Sequence, residues 1–218
     1  DVTCVAVDQT GKFYVGLGNV VQGYTRTGER GVTFDKFGPD AIVTSIMATA
    51  EHVFAADAQS CTVMRFTSDG ILKQALDGKH EETDSGFVVP SPYFDLARGR
   101  GRVMWVVNPG RHMLQQYSFE GHYIGSWQGE NTMGLQGFCG CCNPSHIATL
   151  SDGSVVTSEK GLPRVKVYTS RGGFEGVVAA PSDLSGNPTG LDLAVDSEDR
   201  ILVADSARKQ VRIFELKP

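Results

Sequence analysis

Three cysteines close together give this sequence its clearest chemical signal. Cys139, Cys141 and Cys142 fall within four residues, and His146 follows four residues after the last of them. Packing alone gives little reason for three thiols so close together, although free cysteine is often buried as a small hydrophobic residue. Thiolates and imidazoles are ligands of zinc, copper and iron–sulfur clusters. The sequence therefore predicts that these four residues hold a metal ion, either zinc or copper, or an iron–sulfur cluster.

Two other outcomes for the cysteines remain open. The spacing matches no standard CxxC metal motif, and His112 and Cys61 are reserve ligands should one of the four fail. The chain has five cysteines, so at least one is left over from any set of disulfides within the chain. Adjacent cysteines rarely reach good disulfide geometry, and a bridge would instead join Cys141 or Cys142 to Cys61 or Cys4. In the third outcome the thiols are buried and inert.

A repeated unit surrounds these residues. After the cysteines, short apolar and β-branched runs alternate with turns such as 151–153, which predicts four short antiparallel strands and no helix. The unit recurs at a period of about 40 to 50 residues, which is the spacing of propeller blades. We predict an all-β fold, a single β-propeller domain over residues 1–218 built from blades of the four-stranded type, of which five are recognisable at approximately 2–40, 42–80, 86–130, 137–181 and 187–218.

The strand count of these units is uneven. The fifth unit has three strands, and nothing before Val2 can supply the missing outer strand. A propeller closes its ring to avoid free strand edges, which invite pairing with other chains. We therefore expect the ring to be truncated at the N-terminus, with an outer strand or a whole further blade missing.

One position recurs in the first strand of each unit, the strand that lines the axial channel of a propeller. This axial ring consists of Cys4, Ser45, Asp95, His146 and Asp192, at spacings of 41, 50, 51 and 46 residues. Two carboxylates and an imidazole that converge on the channel mouth could hold a cation. The alternative is that Asp95 and Asp192 accept backbone N–H bonds of neighbouring loops and His146 is a satisfied polar side chain.

A second set of polar residues recurs where the second strand of a unit ends. Its members are Asp57, Asn108, Glu159 and Asp205. Side chains at such positions commonly cap the following turn, and we predict that role here. Lys160 and Arg164 lie near Glu159 and could meet an anionic ligand, but we expect them to be solvated charges of the turn.

Composition limits the partners. The chain has 20 basic and 25 acidic residues, a formal charge of -5, and no basic run along which a phosphate backbone could lie. We therefore expect no nucleic-acid partner. No apolar run approaches the length of a membrane span, so we expect none in this chain. The expected partner is a protein or a small ligand on the loop rim, which comprises the loops that enter the first strand and those that join the second and third strands.

The residues from Gly190 to Phe214 resemble an NHL repeat almost position for position, and the likeness extends over essentially the whole chain. Four further stretches, 86–95, 108–112, 137–144 and 158–168, resemble a group of exported bacterial NHL-repeat proteins of unassigned function. Those propellers are usually six-bladed with an export signal ahead of them. The resemblance therefore implies a six-bladed ring and a periplasmic or extracellular location. It supplies no activity.

Three functions compete at this point. The first is a binding or interaction scaffold whose cysteine-rich loop binds a metal or an iron–sulfur centre. The second is a metal-dependent propeller enzyme of the lactone hydrolase or lyase type, in which an axial cation polarises a carbonyl group. That enzyme would need an open coordination site, and the sequence lacks the several-histidine set that those lyases use. The third is electron transfer, with Cys139, Cys141 and Cys142 as ligands of a redox centre.

Overall fold

The computed structural model describes residues 1–81, 85–129, 134–184 and 190–215. Within these ranges the chain forms five antiparallel sheets, and the helical content is one 3₁₀ turn at Pro109–Arg111. The predicted fold class, an all-β propeller with five blades, is confirmed. The predicted blade ends at 130, 187 and 218 lie outside the described residues. The described residues include no α-helix long and apolar enough to cross a membrane.

The chain divides into two compact units, residues 1–96 and 97–218. The first unit contains two four-stranded sheets whose strands lie side by side in sequence order. The first sheet consists of β1 (Cys4–Val7), β2 (Phe13–Gly16), β3 (Val21–Tyr24) and β4 (Arg30–Phe34). The second sheet consists of β5 (Val43–Ala48), β6 (His52–Asp57), β7 (Thr62–Thr67) and β8 (Leu72–Leu76).

A hydrophobic layer joins the two sheets of the first unit. Val21 and Phe34 from the first sheet pack in one cluster with Val43, Val53 and Phe66 from the second, and all five are fully buried. The rings of Phe34 and Phe66 meet edge to face with their centroids 5.3 Å apart. Large aromatic and β-branched side chains fill the space between pleated sheets well, which explains why these short strands are rich in them.

The second unit contains the remaining sheets, again with neighbouring strands adjacent in sequence. The third sheet consists of β9 (Leu96–Arg98), which starts at the unit boundary, β10 (Val103–Asn108), β11 (Met113–Ser118) and β12 (Tyr123–Gln128). The fourth consists of β13 (His146–Thr149), β14 (Val155–Glu159), β15 (Arg164–Tyr168) and β16 (Phe174–Ala179). The fifth has three described strands, β17 (Asp192–Val195), β18 (Ile201–Asp205) and β19 (Gln210–Phe214).

The fourth sheet is covered on both faces. Val155 packs into the layer that faces the third sheet, with Trp105 and Leu114. Its neighbour Val156 packs into the opposite layer, against residues of the fifth sheet such as Val203. Every residue of β14 and β15 is therefore buried. Charged side chains are almost never fully buried unless they are paired, so the charged residues of these two strands require partners.

Candidate functional site

The cysteine loop, residues 134–145, leads from the third sheet into β13 of the fourth. Gly140 and Cys142 both have positive φ angles, +75° and +66°, and so bend the chain on either side of Cys141. Glycine adopts this conformation freely, whereas a residue with a Cβ atom does so rarely. A left-handed cysteine therefore needs support from its surroundings.

Asn143 supplies part of that support. Its side chain is completely buried, and its amide nitrogen donates to the carbonyl oxygens of Cys139, at 2.5 Å, and of Lys160, at 3.0 Å. Its amide oxygen accepts the backbone N–H of Lys160 at 2.9 Å. The cysteine loop is thereby fastened to the turn between β14 and β15.

Lys166 in β15 supplies the other part. Its ammonium group has no solvent exposure and donates to the carbonyl oxygens of Gly137, at 2.6 Å, and Leu135, at 3.2 Å. It also lies 5.0 Å from the centroid of the Phe138 ring and 5.3 Å from that of Tyr168, within the range of a cation–π contact. The first half of the loop thus wraps around a buried cation.

Glu159 neutralises part of this charge. One carboxylate oxygen lies 3.1 Å from Lys166 Nζ and accepts the backbone N–H of Cys139 at 3.2 Å, and the other lies 2.5 Å from Arg164 Nε. The prediction that Glu159 caps its turn is therefore wrong, because its carboxylate turns inward to two cations. The prediction that Arg164 is a solvated turn charge is also wrong, because only 4% of it is exposed.

The pKa values reflect this arrangement. Burial lowers the pKa of Lys166 to about 8, although the carboxylate of Glu159 acts against that shift. Burial also acts to lower the pKa of Arg164, but Glu159 and the Cys139 side chain outweigh it and raise that pKa. Burial raises the pKa of the Tyr168 hydroxyl, and Glu159 adds to the effect. Two cations and one carboxylate leave a positive excess behind the loop.

The three sulfur atoms differ in their surroundings. Cys141 is exposed, Cys142 is only 3% exposed, and Cys139 is intermediate. The sulfur atoms of Cys141 and Cys142 lie 2.7 Å apart. The Cys139 thiol donates to the carbonyl oxygen of Gly134 at 3.7 Å and interacts with Arg164. Adjacent cysteines are usually poor disulfide partners, yet the loop places these two sulfurs in direct contact.

The other predicted ligands are placed as follows. His146 begins β13, and its Nδ1 lies 3.5 Å from the Ser158 hydroxyl. His112 follows the 3₁₀ turn as its C-cap, with a left-handed backbone, and the Cys61 thiol donates to the carbonyl oxygen of Ala58 at 3.7 Å. Among the residues that the structure describes, no group of three or more His, Cys, Asp or Glu side chains is arranged to hold a metal ion. The metal site stays a prediction.

The members of the axial ring use local contacts. Asp95 and Asp192 each accept the N–H of the next residue, at 2.9 and 2.8 Å. Ser45 accepts that same N–H of Leu96 at 3.1 Å, and the Cys4 thiol donates to the carbonyl oxygen of Val43 at 3.9 Å. The two carboxylates therefore accept backbone N–H bonds from the next residue along the chain, whereas the alternative interpretation expected donors from neighbouring loops.

A second recurrence, which was not predicted from the sequence, links the end of the second strand with a residue seven positions later. Asn108 donates to Gln115 at 3.0 Å, Glu159 contacts Lys166 at 3.1 Å, and Asp205 lies 4.0 Å from Arg212. Each pair lies diagonally across a hairpin, because the residue directly opposite is five positions on. Polar residues at this spacing in three units were the signal available in the sequence.

The turn-capping prediction holds at two of its four positions. Asp57 accepts the N–H of Gln59 at 3.0 Å, and Asp205 accepts that of Arg208 at 3.1 Å. Asn108 precedes the 3₁₀ turn without a side-chain capping bond and turns to Gln115 instead. Together with Glu159, it shows that this position can face the buried side of the hairpin.

No family model matches the chain, and no curated protein matches it by sequence. Similar folds occur among solved structures. Virginiamycin B lyase from Staphylococcus aureus is 15% identical over 100% of this chain and 70% of that chain, with a TM-score of 0.65. A streptogramin B lyase is 12% identical over 99% of this chain and 65% of that chain, with a TM-score of 0.69. Glutaminyl cyclase from Myxococcus xanthus is 12% identical over 98% of this chain and 89% of that chain, with a TM-score of 0.61. At these identities the likeness concerns the propeller fold alone.

Proposed function

We propose that this protein is an exported propeller that serves as a binding scaffold, and that its cysteine loop captures a single soft metal ion. The observation that carries the proposal is the pair of sulfur atoms of Cys141 and Cys142, which lie 2.7 Å apart, one exposed and one buried. Soft thiolate ligands select ions such as copper(I) and zinc over hard cations. Two adjacent thiols on a fixed loop provide half of such a site.

The loop is suited to binding because its shape is held by the protein rather than by the ligand. Asn143 ties it to the turn of the next hairpin, and Lys166 holds two of its carbonyl oxygens. A site that is already ordered loses less conformational entropy when a ligand binds. Cys139 provides a third sulfur from the same loop, and His146 follows the loop directly as the proposed fourth ligand.

Metal capture requires a small movement of the two sulfurs. At a zinc–sulfur distance of ~2.3 Å and a tetrahedral angle, two ligating sulfurs lie about 3.8 Å apart. The sulfurs of Cys141 and Cys142 must therefore separate by about 1 Å. Rotation of the exposed Cys141 side chain can supply this movement without repacking the core.

A single ion fits the loop better than an iron–sulfur cluster. Such clusters are usually held by four cysteine thiolates, and the loop contains three cysteines. We therefore place zinc or copper(I) ahead of a cluster, and binding ahead of electron transfer. The lyase-type alternative has the fold likeness in its favour, but at 15% identity or less that likeness does not extend to the chemistry.

Metal analysis of the full chain tests the proposal. We expect the reduced protein to retain about one zinc or copper(I) ion per chain in competition with a chromophoric chelator. Cys141→Ser and Cys142→Ser should lose it, whereas Cys61→Ser, which removes a thiol outside the loop, should keep it. A wild-type chain without a stoichiometric ion, or a Cys141→Ser variant that binds like the wild type, would overturn the metal proposal.

A further inference from the structure

We infer that Cys141 and Cys142 form a reversible disulfide with each other by exchange with small disulfides, which makes the cysteine loop a two-electron dithiol centre. The inference concerns the loop of the proposed function but does not require a metal ion. The inference rests on the contact between the sulfur atoms of these two adjacent residues, which lie 2.7 Å apart. A covalent bond brings two sulfurs to ~2.05 Å, so bonding needs a smaller change of distance than shared metal ligation does.

The backbone of the loop explains why two neighbouring side chains meet. In an extended strand, successive side chains point to opposite faces and their sulfurs would be far apart. Here Gly140 and Cys142 both have left-handed φ angles, +75° and +66°, so the chain turns sharply on both sides of Cys141. A left-handed conformation is unfavourable for cysteine and persists only where the surrounding structure imposes it.

The buried contacts of the loop impose it. Asn143, directly after Cys142, is completely buried and donates across the bend to the carbonyl oxygen of Cys139. The same side chain exchanges hydrogen bonds with the backbone of Lys160 on the next hairpin. The Asn143 side chain thus links Cys139 to the residue after Cys142 and bridges the segment that contains Cys141 and Cys142.

The two thiols differ in access, which sets the order of the steps. Cys141 is exposed and can meet a small molecule, whereas Cys142 is 3% exposed and cannot meet one without movement of the loop. Exchange depends on the access of the attacking thiolate to the disulfide as well as on its nucleophilicity. Cys141 is therefore the attacking residue, and Cys142 is the resolving residue.

The chemistry balances with a small organic disulfide, RSSR, as the oxidant. The Cys141 thiolate attacks one sulfur of RSSR, which forms a mixed disulfide and releases RS⁻. The Cys142 thiolate then attacks the sulfur of Cys141, which forms the bond between the two cysteines and releases the second RS⁻. Two protein thiols are oxidised to one disulfide, and one RSSR is reduced to two RSH, which take up the two protons. An excess of RSH reverses both steps.

The test uses the full chain, reduced and then kept in a metal chelator, so that its outcome is independent of metal binding. The protein is incubated with oxidised glutathione, quenched with acid and alkylated, and the peptide that contains all three loop cysteines is analysed by mass spectrometry. We expect a peptide lighter by two hydrogens, with Cys139 alkylated and with Cys141 and Cys142 protected until a reductant is added. A bond that involves Cys139 or Cys61, or alkylation of both Cys141 and Cys142, would overturn the inference.

Single variants separate the two roles. Cys142→Ser should stop at the mixed disulfide of Cys141 with glutathione, because the resolving thiol is missing. Cys141→Ser should react with oxidised glutathione at least about tenfold more slowly, because the remaining thiol of the pair is buried. Cys61→Ser, which removes a thiol outside the loop, is the control and should form the Cys141–Cys142 bond as the wild type does. If wild type and Cys142→Ser accumulate the same mixed disulfide, Cys142 does not resolve it and the inference fails.

Discussion

Lys166 stands in the same relation to Glu159 as Gln115 does to Asn108 one blade earlier. Both pairs are seven residues apart, lie diagonally across the hairpin of the second and third strands, and are in direct contact, at 3.1 and 3.0 Å. The earlier pair is uncharged. The later pair is charged, and its cation binds two carbonyl oxygens of the cysteine loop. A position that is structural in the third sheet supports the candidate site in the fourth.

Replacement of Glu159 by glutamine should destabilise the protein strongly. It would leave Arg164 and Lys166 buried without their carboxylate, and loss of one partner of a buried ion pair typically costs about 3–5 kcal/mol. The free energy of unfolding in urea measures the effect. Glu120→Gln, which removes the carboxylate of the exposed pair with Arg102, is the matched control and should have a much smaller effect. Equal effects of the two substitutions would contradict the assigned role.

Lys166 should make stability depend on pH in the alkaline range. Its pKa is about 8 in the folded protein against 10.5 for the free side chain, so between these values the unfolded chain binds more protons than the folded one. Stability therefore gains from Lys166 as the pH rises from about 8 to 10.5. We expect the free energy of unfolding of the wild type to increase relative to that of Lys166→Met across this window. A constant difference between the two proteins would show that Lys166 is not perturbed.

Removal of the Phe138 ring should loosen the cysteine loop. The ring is completely buried, and its centroid lies 5.6 Å from that of the Tyr168 ring and 5.9 Å from that of the Trp127 ring. It also covers the ammonium of Lys166. Phe138→Ala should cost about 3–5 kcal/mol of stability, as is typical of phenylalanine-to-alanine changes in a core. Alkylation of the buried Cys142 in the reduced protein should also become faster. Phe138→Leu, which keeps most of the volume, should change both quantities less, and unchanged alkylation in Phe138→Ala would contradict the link to the loop.

Two glycines with the same backbone conformation allow a test of packing against the loop's aromatic neighbours. Gly172 and Gly28 have φ angles of +87° and +86°, but a Cβ atom on Gly172 would lie 2.7 Å from the Trp127 ring, whereas one on Gly28 would meet nothing within 4 Å. Substitution by alanine should cost both positions about 1–2 kcal/mol for the left-handed backbone. Gly172→Ala should lose about 1–3 kcal/mol more from overpacking. Thermal denaturation measures the free energy of unfolding of both variants. Equal losses in the two variants would show that the Trp127 ring moves aside without an energetic cost.

The sequence was informative about the fold because propeller blades repeat. Turns and β-branched runs recur at a fixed period, and each strand pairs with its neighbour along the chain, so local patterns determine the sheets. The placement of three cysteines on one loop was also evident, because they lie within four residues of the sequence. The environment of that loop was missed, because it depends on Lys166, which lies in a strand buried on both faces and was indicated only by the recurrence of polar residues seven positions apart. Arg164 was misread for the same reason, since a charge next to a turn is usually solvated.

The order of strands along the chain determines when the cysteine loop can fold. The fourth sheet is complete within residues 146–179 and pairs only neighbours in sequence, so its contact order is low and it can form quickly. The loop, in contrast, binds an ammonium group 29 residues further along the chain, which is buried only once β14 and β15 are packed. During synthesis the three thiols therefore emerge before the group that orders them. Their final geometry is acquired late, as a product of tertiary assembly rather than of the loop's own sequence.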